Sequence, residues 1–200
     1  MLKALSTVLA VTALVGCIDA KKSFDDYESR VVDGNTSLPD HPMVDKVPDA
    51  TGHFLFGVHV KAAGPTSKPI QLVGDYVVVD NGDGTAKLSY NASALRTADR
   101  QISTENTAPQ FMAADMPVAK DGTFETALKG QLPGDANPVS PGTPIDADAT
   151  LHGVVMSKDL ICGTLTGTAL VDLTGSTWAA IRIKDTDIGD TLPDPVVACP

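Results

Sequence analysis

Residues 147–184 read ADATLHGVVMSKDLICGTLTGTALVDLTGSTWAAIRIK, and this stretch decides the fold class. Ala147, Ala149, Leu151, Gly153 and Val155 alternate with Asp148, Thr150, His152, Val154 and Met156. A period of two puts the first set on one face of a β-strand and the second on the other. Ser157-Lys158-Asp159 supplies a turn, and Leu160 to Leu173 predicts one long strand rich in Thr, Gly and β-branched residues. Thr174-Gly175-Ser176 turns the chain again. Trp178 to Lys184 then returns, with Thr177, Ala179, Ile181 and Ile183 on one face. Glycines inside these strands (Gly153, Gly163, Gly167) predict bulges or tight curvature.

Upstream the same grammar holds. Phe54, Phe56, Val58 and Val60 share one face, with His53, Leu55, Gly57, His59 and Lys61 on the other. Ile70 to Asp80 is β-rich around Val77-Val78-Val79. Asn81-Gly82-Asp83-Gly84 follows, residues that tolerate positive φ, and then Ala86, Leu88 and Tyr90 alternate inward. Residues 91–108 are polar, with a short helix expected around Ser93 to Asp99. Phe111 to Val118 predicts another strand, Lys120-Asp121-Gly122-Thr123 another turn, and Phe124, Thr126 and Leu128 another alternation. The two Asp-Gly-Thr turns are shared hairpin chemistry and not a repeat, because the strands after them differ. Pro133, Pro138, Pro141 and Pro144 stiffen an extended loop. About eight strands at hairpin spacing make an all-β domain, a single antiparallel sandwich or an up-and-down barrel.

The chain has 200 residues; 42% are apolar but only 4% aromatic, so aliphatic side chains must build the core. Fifteen Lys and Arg stand against 25 Asp and Glu, a formal charge of -10. That balance argues against nucleic acid, whose affinity comes from cations on phosphates, and against charge-driven binding to anionic lipid. No apolar run reaches spanning-helix length.

At the N-terminus, Lys3 precedes an uncharged stretch from Ala4 to Val15 rich in Ala, Leu and Val, which has the form of a secretory signal. It ends Leu14-Val15-Gly16-Cys17, which resembles the lipobox of bacterial lipoproteins. The resemblance implies a signal peptide over 1–16, cleavage before Cys17, and diacylation of its thiol followed by acylation of its new amino group, palmitate being one such chain. It also implies export to the outer membrane, because Ile18 and not Asp follows the Cys. Residues 17–50 then read as lipidated Cys and flexible tether, and 51–200 as the all-β domain. With Cys17 taken, Cys162 and Cys199 remain in an oxidising compartment, and one disulfide between them is expected.

No G-x-S-x-G elbow, H-E-x-x-H, P-loop or dinucleotide fingerprint is present, so no cofactor or metal is expected. His41 falls in the tether; His53 and His59 lie on one strand, roughly 20 Å apart, too far to share a metal; His152 could meet one of them across the sheet. Asp80 and Asp83 flank a turn, while Asp185, Asp187 and Asp190 form an acidic loop whose calcium reading ranks behind a solvated end. Asn35-Thr36-Ser37 and Asn91-Ala92-Ser93 match the glycosylation sequon by chance. Trp178 reads as core, or else as a surface anchor. The expectation is a membrane-anchored, non-catalytic binding or structural module. A lipocalin-like carrier of a small apolar ligand is the alternative, and an enzyme with an unseen site ranks behind both.

Overall fold

The computed structural model describes residues 46–105 and 110–200. The expected signal peptide, Cys17, His41 and nearly all of the tether lie outside those residues.

Nine strands form: β1 (Gly52–His59), β2 (Ile70–Asp80), β3 (Ala86–Ala94), β4 (Phe111–Val118), β5 (Thr123–Leu132), β6 (Ile145–Ser157), β7 (Leu160–Ala169), the short β8 (Val171–Asp172) and β9 (Ser176–Arg182). All pairings are antiparallel, in the order β4-β3-β2-β1-β9-β7-β6-β5, with β8 folded back on β7. Pairing of β9 with β1 joins the two ends of the strand sequence, Phe56 opposite Ala180. β4 and β5 lie side by side without a ladder between them. Eight strands therefore make a nearly closed meander, and of the two architectures left open by periodicity the sheet takes the up-and-down barrel.

The inward rows are those the alternation predicts. Phe54, Phe56 and Val58 on β1, Leu88 and Tyr90 on β3, Ala149, Leu151 and Val155 on β6, and Ile161 and Leu165 on β7 are all buried in one cluster. Val47 and Ala50 belong to the same cluster, so packed chain reaches back before residue 51. The hairpin turns behave as their residues require. Asp83 Oδ1 accepts from the Thr85 amide at 2.9 Å, and Asp121 Oδ1 from the Thr123 amide at 3.0 Å. Gly84 and Gly122 take φ values of 88° and 82°.

One row accounts for Gly153. Phe124, Gly153, Gly163 and Trp178 sit opposite one another on β5, β6, β7 and β9. The Trp178 ring packs 4.9 Å from Phe56 and edge-on to Phe124 at 6.3 Å, and its indole N–H donates to the Thr164 carbonyl at 3.1 Å. A Cβ on Gly153 would lie 2.4 Å from the Phe124 ring and 2.8 Å from the Trp178 ring. Gly153 is thus a seat for the rings, whereas a Cβ on Gly163 or Gly167 would meet the backbone of β6 at His152 or Asp148. The register shift of β6 on β7 falls instead between Val155 and Ser157.

Two expected elements differ. No helix forms at Ser93 to Asp99, because β3 continues through Ala94 and Leu95 bridges to Ile102. The long strand from Leu160 to Leu173 breaks at Leu170, whose φ of 54° reverses the chain so that β8 pairs back on β7.

Outside the barrel, Leu55, Val73, Leu95 and Leu192 form a second, smaller cluster, with Ile181, Ile183 and Ile188 packed on it. The C-terminal segment crosses this outer face as a strap. Arg100 staples it by donating to the carbonyls of Leu192 at 2.9 Å and Pro193 at 2.6 Å. Val196 lies so close over β1 that a Cβ on Gly57 would meet its carbonyl oxygen at 2.6 Å. Cys199 at the end of the strap pairs with Cys162 on β7, an inner strand, at a Cα separation of 5.3 Å.

Candidate functional site

The two ends of the barrel differ in chemistry. At the end where β1 begins, the guanidinium of Arg182 lies 4.9 Å over the Phe54 ring and donates to the Thr51 carbonyl and to Asp159. Just before β1, Val47 and Ala50 are buried in the core. At the other end, where β1 finishes and β5 runs out, a cavity of about 60 Å³ remains. Its walls come from Phe56 and Val58 of β1 and Val60 just after it, Leu128 and Leu132 of β5, and Ile145 and Ala147 of β6; Val139 of the proline loop and Val171 and Leu173 of the β8 turn cover it. Every lining side chain is aliphatic or aromatic. At roughly 24 cal/mol per Å³, leaving such a void empty costs about 1.4 kcal/mol.

The proline loop that holds Val139 is organised by Asn137, which is fully buried. Its amide group donates to the carbonyls of Ser140 and Thr143 and accepts from the amides of Val139 and Ser140. One side chain thereby satisfies the backbone of a segment whose prolines bring no donors of their own.

The histidines do not converge. His53 pairs with Asp75 on β2, Nδ1 to Oδ1 at 2.7 Å. His59 and His152 share one outer row but stand three strands apart, on β1 and β6, with Thr177 and Thr164 between them. His152 takes part in a relay that sequence reading missed. Its Nδ1 lies 3.1 Å from Glu125 Oε2, and its Nε2 lies 3.1 Å from Thr166 Oγ1. An acid, an imidazole and a hydroxyl in line can pass a proton. The row faces solvent in a wide, shallow depression of the outer sheet lined also by Val154, Cys162 and Thr164, and β6 and β7 are inner strands whose backbone N–H groups are committed to ladders on both sides. Acyl transfer also needs donors aimed at a developing oxyanion, which this surface does not present.

The remaining sequence candidates take structural places. Trp178 is core, 1% exposed. The carboxylate of Asp187 accepts from the Lys184 amide at 3.1 Å, so it caps a turn beside Asp185 and Asp190. Among the described residues no group of three His, Cys, Asp or Glu is placed to hold a metal ion. Asp83 has its carboxyl held below the usual range by the Thr85 hydroxyl and amide, as expected of a turn residue. Among the described residues no helix is long and apolar enough to cross a membrane.

No family model matches this chain, and no curated protein and no solved structure is detectably similar to it.

Proposed function

We propose that this chain is a lipid-anchored protein of the bacterial envelope whose barrel is a non-catalytic binding or structural module. The anchor rests on the resemblance of Leu14-Val15-Gly16-Cys17 to a lipobox, and Ile18 after the Cys favours the outer membrane. The pairing geometry of Cys162 and Cys199 fits the same compartment, since disulfides persist where the surroundings are oxidising. The observation that carries the non-catalytic reading is the chemistry of the cavity at the end of the barrel. It holds no polar side chain, while the titratable candidates lie apart on the outer face.

The test is Cys17→Ser in the intact gene, followed by membrane fractionation. The variant is expected in the soluble fraction, and a variant still held in the membrane after processing refutes the anchor. A second reading, the small-ligand carrier, is favoured by the up-and-down closure and the apolar cavity at one end. Its size sets that reading behind the first, because pockets that engulf a whole ligand run to roughly 300–1,000 Å³.

A further inference from the structure

A hole walled only by hydrocarbon selects its ligand by exclusion. A charged or hydrogen-bonding group entering it would give up water and find no partner. We propose that the cavity binds the terminal carbons of an unbranched, uncharged hydrocarbon chain. This rests on the binding-module reading above and is independent of the anchor.

Two observations beyond the lining support the assignment. The first is size. The cavity, at about 60 Å³, is well below the roughly 150 Å³ that accommodates benzene in an engineered core, so a ring is too large and a few methylenes are not. The second is the rim. Leu170 stands in the turn between Ala169 and Val171, which both line the cavity. Leu170 is 64% exposed and holds a φ of 54°. A left-handed turn position ordinarily goes to Gly, Asn or Asp, because a side chain with a Cβ is strained there. Strain and exposed apolar surface thus coincide at the mouth, beside half-buried Ile70, Leu128 and Ala147. A chain with its end in the cavity would leave past this hydrophobic edge.

The chain could come from a free alkyl compound or from a bilayer lipid, and the experiment separates the two. The purified Cys17→Ser protein is titrated with n-octanol while its methyl resonances are followed. Saturable shifts are expected at Val60, Leu132 and Val171. Ala147→Leu, which places three more carbons into the void, is expected to weaken them at least about tenfold, the worth of one or two displaced methylenes, while the melting temperature holds. Ala169→Val serves if Ala147→Leu does not fold. Absence of saturable shifts, or shifts unchanged by the filled cavity, overturns the proposal. In the second arm the same protein is floated with phosphatidylethanolamine–phosphatidylglycerol vesicles. Flotation that Ala147→Leu abolishes assigns the bilayer as the source, and octanol binding without flotation assigns a free chain. A negative octanol titration leaves the anchored-module reading intact, since only the fractionation of Cys17→Ser bears on that.

Discussion

Replacing Cys199 with Ser cuts the strap from the barrel without touching a strand. Cys162 and Cys199 are 37 residues apart in sequence. In the chain-entropy account, releasing a loop of that length from the unfolded state removes about 4 kcal/mol of stability. The folded state loses little, because Arg100 still holds the carbonyls of Leu192 and Pro193 and Leu192 still packs in the outer cluster. A single-domain protein commonly has only about 5–15 kcal/mol in all, so the expected loss is a large share of the total. Urea unfolding followed by the fluorescence of Trp178, the one tryptophan, reads the whole barrel. For a slope of roughly 2 kcal/mol/M the midpoint falls by about 2 M, and the slope rises because the freed unfolded chain exposes more surface. Wild type unfolded in a thiol reductant is expected to match the variant. A loss below about 1 kcal/mol, or a reductant without effect, would refute the constraint assigned to this bond.

Two further predictions concern the interior. The Tyr90 hydroxyl is buried without a hydrogen-bond partner, so Tyr90→Phe is expected to leave stability unchanged or raise it by about 1 kcal/mol in thermal melts. Burial pushes the Tyr90 hydroxyl up to about 12 and that of Tyr76, stacked on it, higher still. The unfolded chain ionises these groups near pH 10, so their contribution is complete below pH 10 and is lost as pH rises toward 12. The chain has three tyrosines, so tyrosinate absorbance near pH 10 equivalent to more than one of them, in a protein still folded, would contradict that burial. Gly153→Val drives a side chain into the Phe124 and Trp178 rings and is expected to cost about 1–3 kcal/mol with a red shift in Trp178 emission. An unchanged melting temperature would remove Gly153 from its role as a ring seat.

Strand positions and faces were readable because a half-buried strand must alternate. Phe54, Phe56 and Val58 turned inward, and Ala86, Leu88 and Tyr90 did the same. Turns were readable because Asp-Gly-Thr supplies both the φ and the acceptor the turn needs. Closure was not readable, since pairing of β1 with β9 joins segments more than a hundred residues apart and leaves no local mark. The same blindness hid the relay at His152. Glu125 stands opposite it only through the register of β5 on β6, which is set across the whole proline loop. Leu55 falls by period on the polar face of β1 with His53 and His59, yet it is buried, in the cluster that the C-terminal strap closes with Leu192. The bend at Leu170 escaped notice because its residue type argues against the backbone it adopts.

The seam between β4 and β5 gives the barrel a direction of weakness. Every other junction around the circumference must break a ladder to part, whereas β4 and β5 meet by packing, as where Phe111 lies against Gly130, and the hydrogen bonds on this side come from the flanking segments, from Thr97 and Ser103 to Asp135 and from the Gly134 amide to Glu105. The two strands are joined at one tip through the turn at 119–122, and at the other, beside Phe111 and Leu132, two walls of the cavity, the flanking hydrogen bonds to Asp135 and from Gly134 hold the seam shut. The molecule is thus a clasp with its hinge at one tip of the seam and its latch at the other. A small outward swing of β4 would lengthen the apolar slot without melting a strand, and the first amides to exchange with solvent would be those along its unpaired edge.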